Sequence, residues 1–375
     1  MKTGMKSLLL VAAIMVTALY SCAPKPQTGR ETIPFVSGIL QDEDNRYNTL
    51  LRGTSSANPS GSIYIIGDAD AVLSLAEDFA VRDSRDNVDG SIKPDGLPDF
   101  AGETISCILD TAGLFKGILS EALAGGNDTA LREFAVRLLL GAVDPVCHIS
   151  PYDIEGMGSK SAAKLVVLAD PYLAQYAGHD IDTLLTSSGS VIPVICPIDE
   201  MLEVAFASNQ GRDINMGVIC DGGYAGSDIY SRWFSEASDK AGSMSSGFTC
   251  LPATAAADSV LVSFLDGYIA KGDARPLNVI AVDTYSVSPD KMKSDYAGLI
   301  SLMNEDSMKY ARYFAKDFRF LHAADAVTSR CYELLRTDNL FTHNIAKPQI
   351  ETFYPAFSPE DEKELFLVPG NYVQN

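Results

Sequence analysis

Positive charge is scarce in this chain of 375 residues: 29 Lys and Arg stand against 49 Asp and Glu, a net charge of -20. A field of that sign repels nucleic acid and anionic lipid surfaces, which argues against both as partners. Histidine is scarcer still. None of the four pairs with a serine or cysteine in a nucleophile motif, and GxSxG does not occur. No CxxC and no Cys/His cluster has metal-site spacing, which argues against structural zinc. Neither GxGxxG nor a P-loop is present, so no nucleotide cofactor is expected, and no other cofactor or metal is implied.

Long apolar runs are missing too, except at the very start. Lys2 and Lys6 precede "LLLVAAIMVTALY", and "LYSC" closes the segment at Cys22. A basic start, a short apolar stretch and a small-residue exit form a secretory leader rather than a membrane span. Leu19-Tyr20-Ser21-Cys22 resembles a bacterial lipobox, in which the cysteine is acylated after cleavage. Residues 1–22 are thus expected to be a lipoprotein signal peptide. The Pro-rich and polar stretch 23–60 is expected to be a tether, with the mature protein lipid-anchored at Cys22 in the cell envelope. The alternative is an ordinary secretory signal with a chance cysteine. The six remaining cysteines include Cys196 and Cys220 inside apolar runs and Cys331 on a helical pattern, positions suited to small buried core residues.

What the rest contains is alternation. Short Val/Ile-rich runs such as "SIYIIGD", "KLVVLAD", "VIPVICP", "INMGVICD" and "LNVIAVD" are each followed by a helical pattern, the signature of parallel sheets flanked by helices. Residues 104–141 read as mainly helical, and the irregular sequence beyond Arg336 reads as a tail packed on the body. In such sheets ligands lie beyond the carboxyl ends of the strands. Asp68, Asp170, Asp221 and Asp283 all end apolar runs. Each is equally placed to cap the following helix through its free backbone N–H groups.

The order of these segments resembles the aspartate/glutamate racemase superfamily. "IYIIGDADAV" is similar to that family's first strand and keeps its acidic residue as Asp68. "KLVVLADPYLAQ" resembles the element carrying the first catalytic thiol, with Asp170 in the cysteine position. "VIPVICPIDEMLEVA" resembles the next strand, and "MGVICDGGYAGSDIYSRWF" has Ser227 and Tyr230 in register with a Ser-x-x-Tyr helix. "NVIAVDTYSVSP" places Asp283, Thr284 and Tyr285 at the turn carrying the second thiol, and "FLHAADAVTSRCYELL" resembles the closing strand and helix. The resemblance spans residues 61–336. It implies two Rossmann-like α/β domains facing each other across a cleft, one of 61–190 plus 315–336 and one of 191–314, with 337–375 as a C-terminal extension.

It further implies a site with Asp170 and Asp283 as an acid–base pair and Asp68 as an orienting group. Thr284, Tyr285 and Ser227 are the implied ligand contacts, together with Asp99 and Glu103 from the loop that lines the family's pocket. None of the six cysteines falls at either thiol turn. A carboxylate is a weak base towards a carbon acid, so a working pair needs burial and mutual repulsion to raise at least one pKa. Two readings follow: a cofactor-independent isomerase using an Asp pair, or a non-catalytic solute-binding lipoprotein of the periplasm. Either takes a small polar or amino-acid-like molecule. The loop "RDSRDNVDGSIKPDGLPDFAGE" is the densest polar cluster, open to three readings: a pocket wall, a surface loop or a metal site. With Gly90 at the sixth place of a calcium loop, Arg85 and Gly96 occupy the first and twelfth, so the EF-hand pattern fails.

Overall fold

The structure is a computed structural model. It describes residues 30–370 apart from 112, 210–211, 244, 255–258, 273–274, 302–308, 343 and 362–363. Cys22 and the leader lie outside the described residues. Twelve strands are described: β1 (Ser62–Gly67), β2 (Thr104–Leu109), β3 (Val146–Cys147), β4 (Gly158–Ser159), β5 (Ala163–Leu168), β6 (Val194–Ile195), β7 (Asn215–Cys220), β8 (Gly247–Pro252), β9 (Leu277–Asp283), β10 (Phe314–His322), β11 (Gln349–Phe357) and β12 (Leu365–Pro369).

They form an α/β structure with two main sheets. The first has the order β12-β11-β2-β1-β5-β6 and the second β10-β9-β7-β8; β3 and β4 make a small hairpin. All neighbours in the main sheets run parallel except β11 and β12. β1, β5 and β7 are buried along their whole length, because helices cover both faces. Alternate residues feed different cores: Tyr64, Ile66, Val166 and Leu168 on one face of the first sheet, Ile63, Ile65, Leu165 and Val167 on the other. In the second sheet Met216, Val218 and Ala281 join the core that holds Tyr64, while Ile219, Ile280 and Val282 join a separate cluster. One apolar core thus runs from the first sheet to the second and seats the two against each other.

The segment boundaries differ from the sequence reading in four places. Thr104–Leu109 is an interior strand rather than helix. β6 pairs with β5 in the first sheet and β10 with β9 in the second, so each crosses the boundary expected near 191 and 315. The C-terminal tail is no mere packing extension: β11 lies parallel to β2, from Gln349 against Thr104 to Phe353 against Ile108, and β12 covers β11. Finally, the expected tether is helical over Pro34–Gln41 and Arg46–Arg52. Val36, Ile39 and Leu51 bury their side chains in the main core, and Asp180 of the Pro171–Ser188 helix accepts the backbone N–H of Ile33 at 2.9 Å.

Candidate functional site: an aspartate-lined cavity between the sheets

Register brings the carboxylates together. β1 and β5 pair Ile66 with Leu168, so the next outward-facing positions, Asp68 and Asp170, leave the first sheet side by side. Gly67 makes this possible. A Cβ there would sit 3.1 Å from the backbone nitrogen of Asp170, so a larger residue fits only where the Asp170 backbone gives by a few tenths of an ångström. In the second sheet β7 and β9 pair Cys220 with Asp283, which puts Asp221 and Asp283 at the corresponding edge.

Both edges border one cavity of about 530 Å³. Asp68 and Asp170 line it from the first sheet, Asp221 and Asp283 from the second. Thr284 and Tyr285 line it as well. The Leu114–Gly125 helix, capped by Asp110 through the N–H groups of Leu114 and Phe115, lays Phe115 and Lys116 along one wall. The volume is in the range of small-molecule sites.

Asp170 and Asp283 are 2% and 7% exposed, and each is held by a tyrosine. Asp170 Oδ1 accepts the backbone N–H groups of Tyr172 and Leu173 at 2.8 and 3.1 Å, the N-cap geometry, with Pro171 opening the helix. Its Oδ2 accepts the Tyr224 hydroxyl at 2.6 Å. Asp283 Oδ2 accepts the Tyr230 hydroxyl at 2.7 Å. The two tyrosine rings meet edge to face, 6.5 Å apart. Burial pushes both carboxyl groups up to about 6 against the pull of these donors; the charges of Asp221 and Asp170 push Asp283 further in the same direction. Burial and the neighbouring carboxylates raise both tyrosines well above the ordinary phenol range, so they stay protonated and donate.

Asp68 is less enclosed. It caps its own helix through the Asp70 N–H at 3.2 Å and pairs with Lys116 at 3.2 Å, which raises the lysine. Asp221 accepts the Thr284 hydroxyl at 2.6 Å. Tyr285 has a buried hydroxyl with no hydrogen-bond partner among the described residues.

The other expected contacts lie elsewhere. The Ser227 hydroxyl donates to the carbonyl of Tyr224 at 2.8 Å and closes its own turn. Glu103 is fully buried against Lys164 at 2.5 Å and accepts the Thr342 N–H at 2.7 Å. Asp99 accepts the Ser84 and Arg85 N–H groups and the Ser84 hydroxyl. Both belong to the framework and stand off the cavity wall. The same holds for the polar loop: Asp83, Asp86 and Asp95 bind backbone N–H groups within it. It packs on the Ala323–Thr337 helix through Tyr332 and Arg336. Missed by the sequence reading were Tyr224 and Lys116; the aromatic pair six residues apart in "GGYAGSDIY" was the available signal.

No family model and none of the curated proteins matches the chain. Among solved structures it is similar to the RacE1 isoform of glutamate racemase from Bacillus anthracis, at 12% identity and TM-score 0.46, covering 79% of this chain and 89% of that one. It is similar to the Francisella tularensis glutamate racemase in complex with D-glutamate, at 12% identity and TM-score 0.43 over 79% and 89% of the two chains. The Campylobacter jejuni glutamate racemase gives 13% identity and TM-score 0.41 over 78% and 92%. These neighbours are glutamate racemases, the group whose segment order the sequence resembles; at such identities and TM-scores the likeness assigns the chain no activity.

Proposed function

We propose that the cavity binds a small, polar, amino-acid-like molecule and that Asp170 and Asp283 move a proton on and off its α-carbon, making the protein a cofactor-independent isomerase. One observation carries this reading: two carboxyl groups from different sheets line the same cavity, and burial pushes both up to about 6. Around that pH one is ionised while the other keeps its proton, the condition for a base and an acid to act together. The ionised carboxylate takes the α-proton, and the C–H electron pair stays on carbon. The protonated carboxyl then delivers its proton to the opposite face. The two aspartates end with exchanged protonation states and no net electron transfer, so the same site runs in either direction.

A receptor role is the second reading, favoured by the three donors that already converge on Asp170. Incubation with amino acids in deuterated buffer separates the two. The isomerase incorporates deuterium at the α-carbon and racemises the ligand, and D170N and D283N each lose both activities. Binding without exchange for every amino acid bound leaves the receptor. The leader pattern supports export and acylation at Cys22 for either role; a diacylglyceryl mass on the mature amino terminus, absent in C22S, is the expected signature.

A further inference from the structure

We propose that the cavity selects a basic amino acid, with one carboxylate and a second cationic group, over a dicarboxylate. The inference rests on the reading of the cavity as an amino-acid site and names its ligand class. Among the described residues five acidic side chains line the space, those of Asp68, Asp70, Asp170, Asp221 and Asp283, against one lysine, Lys116; with one of the Asp170–Asp283 pair protonated, negative charge is still in excess. Lys116 is already engaged by Asp68. A ligand bringing two negative charges would enter a field of its own sign, whereas a second ammonium would neutralise it.

The walls repeat the preference. Tyr172 and Tyr224 lie 5.2 Å apart in a tilted pair, and both line the cavity beside Tyr230. Aromatic faces attract ammonium groups and repel carboxylates. Tyr285 borders the same space through part of its side chain, while its hydroxyl is buried away from solvent. Lys116 is the one lining cation among the described residues, and its side chain is 75% exposed. It therefore sits towards solvent, where it meets the ligand's α-carboxylate while the amines point inward.

Isothermal titration calorimetry of the purified full-length chain tests this with L-lysine, D-lysine, 1,4-diaminobutane, L-glutamate and sorbitol. Lysine is expected to bind, less tightly as salt rises, and glutamate at least about tenfold more weakly. In K116A lysine loses affinity while 1,4-diaminobutane, which has no carboxylate, keeps it. Glutamate or sorbitol binding as tightly as lysine overturns the proposal, as does lysine giving no heat. The exchange experiment fails independently. Lysine binding without deuterium incorporation keeps the ligand class and removes the isomerase; incorporation into glutamate alone does the reverse.

Discussion

Tyr224 reaches from the short helix Gly222–Ala225 after β7 in the second sheet to Asp170 at the end of β5 in the first, and its hydroxyl donates to Asp170 Oδ2 at 2.6 Å. This single bond ties the two walls of the cavity together at the carboxylate that the site depends on. It favours the ionised form of Asp170 and opposes the burial that raises it.

Y224F therefore has a pH-dependent effect. A hydrogen bond to a charged group contributes about 1.5–3 kcal/mol, more than one to a neutral group. Above the Asp170 value of about 6 the variant is expected to lose stability of that order in urea titrations. Below it, where the carboxyl is already protonated, the loss shrinks to about 1 kcal/mol. The Asp170 titration itself moves further up. A penalty independent of pH would mean that the ring acts through packing alone.

Asp283 makes the opposite kind of prediction, since its folded value of about 6 lies above the ordinary carboxylate range. Between the unfolded and folded values the native state holds the extra proton. Stability is thus highest at the low end of that window and falls as pH rises through 6. D283N is neutral throughout and keeps an oxygen for Tyr230. At alkaline pH it is expected to be more stable than the parent by on the order of 2 kcal/mol, and near pH 4 the two converge. Thermal melts across that range check it, and a variant less stable at every pH refutes the burial argument. A gain in stability with loss of exchange is the usual trade at a functional carboxylate.

The carboxylates were legible in the sequence because each follows an apolar run that can only be a buried strand. Their convergence was not, since it depends on which strand ends share an edge. The choice between Ser227 and Tyr230 shows the limit. The two belong to one motif, but the short Ser227 hydroxyl, in the bend between two helices, bonds back to Tyr224, while the longer phenol spans to Asp283. β2 is hard to read from sequence although three of the six residues of "TISCIL" are β-branched, because two long helices follow it directly and make the whole stretch look helical. β11 escaped because Pro355 breaks the strand pattern. That proline lies beyond Phe353, the last residue paired with β2, so its missing N–H removes nothing from that ladder.

Glu103 gives a test of the framework assignment. Its ion pair with Lys164 is fully buried, and the lysine also donates to the carbonyls of Pro59 and Leu340 at 3.0 and 2.7 Å. Removing one partner strands a charge in the interior, and K164M is expected to destabilise the fold by about 3–5 kcal/mol. The double variant K164M/E103L recovers most of that loss, because both charges leave together. E103Q, if folded, keeps ligand affinity within about twofold, since the carboxylate stands off the cavity; a larger change in affinity would return Glu103 to the site.

The C-terminal strands make the last prediction. β11 is the neighbour of β2 on the side away from β1, and Phe353, Leu365 and Leu367 bury their side chains in the main core beside Tyr64. A chain ending at Ala346 leaves the N–H and C=O groups of β2 unpaired along that edge and uncovers apolar surface on the sheet. An exposed, flat, apolar strand edge pairs with other chains. Such a truncation is expected to aggregate or to lose its cooperative thermal transition. A tail that merely packs on a finished body would leave the rest folded, with lower stability and an intact transition. Circular dichroism melts and light scattering on the truncated chain distinguish these outcomes, because a sheet missing an interior strand loses cooperativity before it loses helix content.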